Sequence, residues 1–360
     1  MKGFKLKRYT LRKIVAVCMI LCIFAGFYGC SSDKTIVLTT GLKEDQIFRI
    51  ESAVCTKPEL MVYLMTVKNS YEEIYGEEIW NTETSGESIK DSIKETVLAR
   101  ISKVKVLTLM AKERKITLSE DETGRTKAAA KKFWDSLSDD EKTALDVSEN
   151  VIVQMYQDYA IAEKVYLSLV SDINPEISDD DARTVTVSHI MIKTTHTDFS
   201  GVKTSYSEAA MADAKHRAEL VYSRILEGED FSKLVLEYNE DVKSEYSFRK
   251  GEMDPVYEET AMNLGNGEIS PVIKTKEGFY IIQMLNAFDK DETDANKQAM
   301  IKQMKEDAFQ SAYESFLNTL TGNLNAKVWE EIDFTEGDVV KTDCFFEIYE
   351  EFFPQIEMNP

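Results

Sequence analysis

Ten residues constrain this chain more than any others: Thr184–Lys193, read T-V-T-V-S-H-I-M-I-K. β-Branched and other residues alternate there with the two-residue period of a half-buried strand. The segment carries His189, one of only three histidines in 360 residues. The chain before it reads as a helical arm, and the chain after it as a compact α+β unit.

The arm spans 46–175. Residues 46–52 alternate Phe48 and Ile50 against Arg49 and Glu51, which predicts a short strand. Thr56-Lys57-Pro58-Glu59 is a capping box with proline in the first turn. Leu60, Leu64, Val67, Tyr71 and Ile74 come next at helical spacing. A longer helix is expected over 87–115, striped by Ile89, Ile93, Val97, Ile101 and Val104. Ser119-x-x-Glu122 and Ser138-x-x-Glu141 open two more helices. Ile152, Met155, Tyr159, Ala162 and Tyr166 mark a fifth. No spacing in the arm is catalytic. Its aromatic and methionine stripes read as core, with a groove for unfolded segments as the second reading. Pro175 and the acids of 176–183 predict a linker.

The first residues address the chain. Lys2, Lys5, Lys7, Arg8, Arg12 and Lys13 precede an apolar run over 14–27 that is short for a membrane span. Gly29-Cys30-Ser31-Ser32 then resembles the lipobox of bacterial lipoproteins. That resemblance implies a signal peptide over 1–29, a diacylglycerol on Cys30, a tether over 30–45 and a place on the outer face of the cell membrane. The formal charge is −21, and residues 1–29 hold six cations and no acid, so the remaining chain is more acidic still. Such a surface disfavours nucleic acid. Beyond the signal segment and Cys30, only Cys55 and Cys344 remain. They support neither a disulfide scaffold nor a zinc site, and they are either one bridge or two buried thiols.

After the strand, 198–203 reads as a polar loop. Ser205-x-x-Glu208 and Asp230 cap two helices, and 239–255 reads as irregular. A third short helix is expected over 256–264, and a last strand over 279–285. Six pieces recur in a set order: Val187-Ser188-His189-Ile190-Met191-Ile192, Gly228-Glu229-Asp230-Phe231, Tyr238-Asn239-Glu240-Asp241, Lys250-Gly251-Glu252-Met253, Gly267-Glu268-Ile269-Ser270, and Thr275-Lys276-Glu277-Gly278-Phe279-Tyr280. Over 184–287 the chain therefore resembles the parvulin-type peptidyl-prolyl isomerases. The arm and a returning segment over 288–334 resemble the PrsA-type foldase lipoproteins and, more loosely, the periplasmic chaperone SurA. In the returning segment an acidic break over 289–294, a helix to about 320 and a strand over 326–334 are expected. Residues 335–360 form an acidic-aromatic tail, for which docking ranks first because exposed aromatics invite aggregation.

The resemblance implies an α+β fold: a parvulin-like domain with a small antiparallel sheet, inserted in a mostly helical chaperone module made of N- and C-terminal segments. By analogy, strand 326–334 pairs with 46–52. It implies a foldase that isomerises Xaa-Pro bonds in unfolded or newly secreted proteins without cofactor or metal. A homodimer is left open. The family's sites map onto His189, Asp241, Tyr280 and Thr275 as catalytic positions, and onto Met253 and Tyr257 as substrate positions. Phe248 stands where a slot-lining leucine and a glycine-rich turn are usual. Tyr280 replaces a second histidine. These departures carry a second reading, a parvulin-fold chaperone that binds without turnover. A solute-binding lipoprotein fits poorly, because a two-lobed α/β pattern is lacking.

Overall fold

The computed structural model describes residues 41–84, 86–197, 199–335 and 339–354. The expected signal segment 1–29 and the lipidation position Cys30 lie outside the described residues. The chain divides into two compact units, one formed by 1–172 with 307–360 and the other by 173–306.

The first unit opens on a hairpin of β1 (Gln46–Ile50) and β2 (Ala53–Thr56). The four residues of β2 are too few to show a period, and the sequence pattern predicts no strand there. β2 runs straight into helix α1 (Lys57–Tyr75) through the Thr56–Glu59 capping box. A short 3-10 turn (Glu77–Asn81) and a minimal ribbon, β3 (Glu83–Thr84) with β4 (Glu87–Ser88), lead into α2 (Ile89–Arg114). Ser88 caps α2 by accepting from the Asp91 N–H, and Ile93, Val97, Ile101 and Val104 form its buried stripe. The two Ser-x-x-Glu boxes start α3 (Glu120–Ser136) and α4 (Asp139–Leu145), and α5 (Glu149–Val170) comes after them.

One polar knot ties these helices. Lys105 on α2 donates to Glu59 on α1 at 2.6 Å and to Asp158 on α5 at 2.7 Å. Burial works against its charge, and the two carboxylates overcome that, holding its pKa above the ordinary lysine value.

The second unit begins with α6 (Asp179–Ala182), a single turn capped by Ser178 inside the expected linker. Its frame is an antiparallel sheet in the order β8, β5, β10, β9. β5 is Thr184–Lys193, the expected strand, but it is buried on both faces rather than half-buried, because helices cover each side of the sheet. The expected loop at 198–203 falls between the strands of a small hairpin, β6 (Thr195–Thr197) with β7 (Lys203–Ser205), with Lys203 already in β7. Helices α7 (Glu208–Leu226) and α8 (Phe231–Tyr238) come next. The stretch expected to be irregular holds β8 (Glu245–Arg249), which pairs with the first half of β5. The unit continues with α9 (Pro255–Met262), β9 (Ile273–Lys274) and β10 (Gly278–Asn286).

Alternation sorts the sheet's two faces. Ile190, Ile192, Phe279 and Ile281 pack against Ala214, Ala218 and Val221 of α7 and Phe231 and Leu234 of α8. Val185, Val187, Met191, Tyr280, Ile282 and Met284 face the other way, onto Phe248 and onto Tyr257 and Ala261 of α9. Gly278 starts β10 where any Cβ would lie 2.3 Å from the Ile192 carbonyl oxygen, so only glycine lets the strands meet there.

Helix α10 (Lys290–Leu317) begins inside the expected acidic break. Asp289 accepts from the Glu292 N–H at 3.0 Å, and Asp291 and Glu292 sit in the first turn. Acids are favoured at a helix start, so this cluster begins the helix rather than interrupting the fold. The strand that joins β1 is β11 (Gly322–Leu324), pairing Phe48 with Leu324. The strand expected over 326–334 is not formed. Asn325 caps a short helix there, α11 (Ala326–Glu330), by accepting from Val328. Val328 and Ile332 are four apart, a spacing that suits a helical turn as well as a strand. Lys94 closes the turn by donating to the Trp329 and Ile332 carbonyls, each at 3.0 Å.

The tail forms α12 (Phe345–Phe352), docked on the helical unit. Phe345 stacks on Tyr156, with ring centres 4.4 Å apart, and meets Phe133 edge-on. The Tyr156 hydroxyl donates to the Phe345 carbonyl at 2.7 Å. Arg100 lies 3.9 Å over the Phe346 ring. Cys344, just before α12, and Cys55 in β2 are free thiols.

Tyr349 of α12 donates to Glu163, a buried carboxyl on α5. Burial pushes the Glu163 pKa up to about 8; Tyr349 opposes the rise and Glu350 adds to it. In the unfolded chain a glutamate ionises near ~4.3. The folded unit holds the proton that the unfolded chain releases, so its stability should fall as pH rises from about 5 to about 8. All three tryptophans, Trp80, Trp134 and Trp329, lie in this unit, so urea unfolding followed by tryptophan fluorescence reads it selectively. Glu163→Gln keeps an acceptor for Tyr349 and should flatten that slope. A slope identical in the variant would exclude Glu163 as its origin.

Candidate functional site

The site grows from the face of β5 opposite α7 and α8. Val185, Val187 and Met191 on that face are buried among apolar side chains, and His189 shares their parity. Its ring is 1% exposed. A buried imidazole must find partners for two nitrogens. Nδ1 lies 2.8 Å from the Tyr257 hydroxyl on α9. Nε2 lies 3.3 Å from Asp241 Oδ2, and Asp241 and the Lys243 carbonyl both favour a proton on the ring. With a carboxylate facing Nε2, the neutral ring is best protonated there, and Tyr257 then donates to Nδ1.

Three tyrosine rings enclose the imidazole. Tyr246 of β8 stacks on it at 5.2 Å and 20°. Tyr280 of β10 meets it edge-on at 5.1 Å, and Tyr257 does the same at 5.7 Å. Burial foremost lowers the His189 pKa, with Asp241 opposing. Burial likewise pushes the Tyr257 and Tyr280 phenols upward, and burial together with the bond to Asp241 raises Tyr246. At neutral pH these groups are therefore an uncharged imidazole and three phenols that keep their protons.

The 239–244 segment brings in the carboxylate. Asn239 Oδ1 accepts from the main-chain N–H groups of Met191 and Asp241, and its amide donates to the carbonyls of Asp241 and Lys243. The Glu240 N–H donates to the Met191 carbonyl and the His189 N–H to the Ser244 carbonyl. This loop continues the line of β8 along β5 and holds Asp241 over the imidazole edge. Tyr246 donates its hydroxyl proton to Asp241 Oδ2 at 2.9 Å.

His189, Asp241, Tyr257 and Tyr280 thus form one cluster. Thr275 is buried at the turn before β10, where its hydroxyl accepts from the Glu277 N–H at 3.1 Å. Met253 is half-buried and packs at the edge of the same apolar cluster. Phe248 is core rather than lining: it is 3% exposed and lies 5.8 Å from the Tyr257 ring. Tyr257 is itself buried, so the two rings form a floor beneath the surface. Two contributors, Tyr246 and Asn239, are not marked as site residues by the sequence. The Tyr246-Ser247-Phe248 alternation carries the signal for the first, because it puts Tyr246 on Phe248's face of a strand. Among the described residues no group of three or more His, Cys, Asp or Glu could hold a metal ion. A depression lined by Lys215, Val272, Lys274 and Phe279 lies on the α7 side of the sheet and contains none of these residues.

Comparison with known proteins places this cluster in context. Residues 189–286 match the Rotamase family, described as a PPIC-type PPIase domain. The chain is 26% identical over 280 residues to Foldase protein PrsA of Caldanaerobacter subterraneus subsp. tengcongensis, covering 76% of this chain and 82% of that protein. It is 25% identical over 288 residues to Foldase protein PrsA of Clostridium botulinum (strain Langeland), covering 71% and 78%. Among solved structures, PrsA from Bacillus cereus aligns with 86% of this chain and 100% of its own, at 17% identity and a TM-score of 0.33.

All three histidines, His189, His196 and His216, lie in the second unit, so selectively labelled histidine gives three assignable NMR signals from it. His189 should titrate below the ordinary 6.5. Asp241→Asn should lower it further, because the carboxylate favours the protonated ring. An unfolded histidine takes its proton near ~6.5, so the unit should lose stability as pH falls below that value toward the folded pKa. A His189 signal titrating above 6.5 would contradict the burial of the ring.

Proposed function

Because this chain belongs, through residues 189–286, to the PPIC-type (parvulin) peptidyl-prolyl isomerase family, we propose that it is an extracytoplasmic foldase. In this reading it isomerises Xaa-Pro bonds and holds unfolded clients. The His189 cluster, formed within that segment, is the observation that carries the reading. Rotation about an Xaa-Pro bond crosses a barrier of ~18–20 kcal/mol and takes tens to hundreds of seconds unaided. No bond to a nucleophile is needed, because the barrier is the loss of amide resonance. A site that binds the twisted amide better than either planar isomer accelerates the exchange.

Each residue of the cluster has a part in that work. The planar amide carries partial negative charge on its carbonyl oxygen, and twisting withdraws it. Asp241, with a side chain 23% exposed, is the charged member of the cluster that reaches solvent. A carboxylate beside the carbonyl disfavours the planar form and so favours rotation. His189 and Tyr280, with Thr275 beside Tyr280, supply a fixed polar backing that water does not enter. Met253 meets the proline ring, and Tyr257 and Phe248 are the floor under it. The helical unit holds the client on its surface, since its aromatic stripes and Met65, Met110 and Met155 are buried core. The basic and apolar pattern of 1–29 and the Gly29-Cys30 pair support a lipid anchor on the outer face of the membrane. Among the described residues no helix is long and apolar enough to cross a membrane.

A second reading rests on two observations: His189 is 1% exposed, and Tyr280 replaces a second histidine. In that case the domain cradles peptides without turnover. A protease-coupled assay of the whole chain with an Xaa-Pro tetrapeptide separates the two. Isomerisation should be accelerated, and His189→Ala should reduce kcat/KM at least about tenfold. No acceleration, with aggregation of an unfolded client still suppressed, would select the binding reading. The anchor is tested separately in cells, where labelled palmitate should enter the chain and Cys30→Ser should abolish the incorporation.

A further inference from the structure

Helix α12 sits on the helical unit as a bound ligand helix would. Phe345, Ile348, Tyr349 and Phe353, three and four residues apart, are buried, while Glu347, Glu350 and Glu351 are exposed. That is the anchor spacing of an amphipathic helix laid in a groove. The groove has an aromatic floor. Phe345 sits among Tyr63 of α1, Phe133 of α3 and Tyr156 of α5, and Tyr349 meets Tyr159 of α5 edge-on at 4.7 Å. Its rim is cationic. Arg100 lies over Phe346, Arg125 lies 4.5 Å over Phe353, and Lys132 pairs with Glu351.

The helices that line this trough are joined by contacts in which α12 takes no part. Lys105 ties α2 to α1 and α5, and Lys164 of α5 pairs with Glu122 of α3 at 2.6 Å. The approach to α12 is fastened separately. Glu141 accepts from the Lys341 and Thr342 N–H groups, each at 2.9 Å, and Asn69 donates to the Val340 carbonyl at 3.1 Å. Only Asp343 and Cys344 separate that pinned point from α12. The helix can therefore leave the trough while the segment before it stays in place.

We propose that this trough on the surface of the helical unit binds amphipathic client segments rich in aromatic and acidic residues, and that α12 is its resident occupant, displaced by a client of the same chemistry. This deepens the holding part of the proposed function and rests on it. Aromatic anchors fill the floor, and carboxylates on the outer edge meet the cationic rim. A tethered occupant competes at the millimolar local concentration that a short link imposes. A client must offer comparable anchors to displace it. Without a client, α12 keeps the aromatic floor from open water.

The test uses the full chain with Ser136→Cys. Ser136 Oγ lies 3.7 Å from Cys344 Sγ, so the substitution sets two thiols where a small side-chain rotation joins them. Oxidation locks α12 in place and reduction frees it within one protein, and tryptophan fluorescence checks that both forms are folded. The probe is a fluorescein-labelled peptide of residues 345–353, followed by anisotropy. The reduced form should bind it at least about tenfold tighter than the oxidised form, because the lock removes the open state that binding needs. Phe345→Ala loosens α12 without touching the trough, and should bind the peptide about tenfold tighter than wild type. A peptide carrying Glu347→Lys, Glu350→Lys and Glu351→Lys should bind about tenfold more weakly. Equal affinity of the oxidised and reduced forms, or no binding to the Phe345→Ala chain, would overturn the proposal. Equal binding of the charge-reversed peptide would overturn its acidic part. Failure of every form to slow aggregation of an unfolded client would instead overturn the holding reading.

Discussion

The pairing of β5 with β10 is the contact on which the second unit depends. The two strands run antiparallel from Lys193 opposite Gly278 to Thr186 opposite Asn286. They are the first and the last long strands of that unit, and everything between them is a loop they close. The pairing does three things at once. It forms the centre of the sheet, sets His189 beside Tyr280, and brings the unit's entry and exit together. Asn296 secures the junction by donating to the Ala182 carbonyl and the Thr184 hydroxyl. A domain whose ends adjoin can be inserted in another without disturbing its host. Glycine at 278 is needed because the pairing leaves no room for a side chain.

The helical unit is held by different means. Its segments come from both ends of the chain, and polar knots inside an apolar interior fix how they meet. Lys105 joins three helices through Glu59 and Asp158. Lys94 seals the turn after α11, and Glu163 receives Tyr349 from α12. Removing one member of such a knot leaves a buried group uncompensated, which costs more than the bond itself contributes. These knots specify which faces meet, while the aromatic packing around Phe345 seats α12 on Tyr63, Phe133 and Tyr156.

How much the sequence discloses depends on how local each signal is. The Ser119 and Ser138 boxes are complete within four residues, and each opens a helix where its spacing predicts; at Ser205-x-x-Glu208 Ser205 instead ends β7 and the cap is Ser207. β5 is legible through its β-branched content, with Thr184–Val187, Ile190 and Ile192, more than through a period. β8 is five residues long and starts in an acidic, polar stretch, so its short Tyr246-Ser247-Phe248 alternation becomes decisive only through pairing with β5. Residues 326–334 satisfy two periods at once, and Lys94, distant in sequence, decides for the helix. The acids of 289–294 read as a break until their place at a helix start is known. The grouping of His189, Asp241, Tyr257 and Tyr280 in space is legible in advance, because motifs spread over 184–287 carry them. Tyr246 lies outside those motifs, and the burial of Phe248 depends on the α9 packing that no local pattern reveals.

The discontinuous build of the helical unit also dictates an order of events. A chain that leaves the ribosome or crosses a membrane from its N-terminus delivers β1 and α1–α5 long before β11 and α12. Glu51 meets Thr321 across 270 residues of sequence. During that interval the inserted unit, with β5 and β10 much nearer each other, can close on its own, while Tyr63, Phe133, Tyr156 and Tyr159 still lack the aromatic helix that covers them. The helical unit thus completes itself last, at β11 and α12, passing meanwhile through a state in which aromatic side chains destined for its core are exposed.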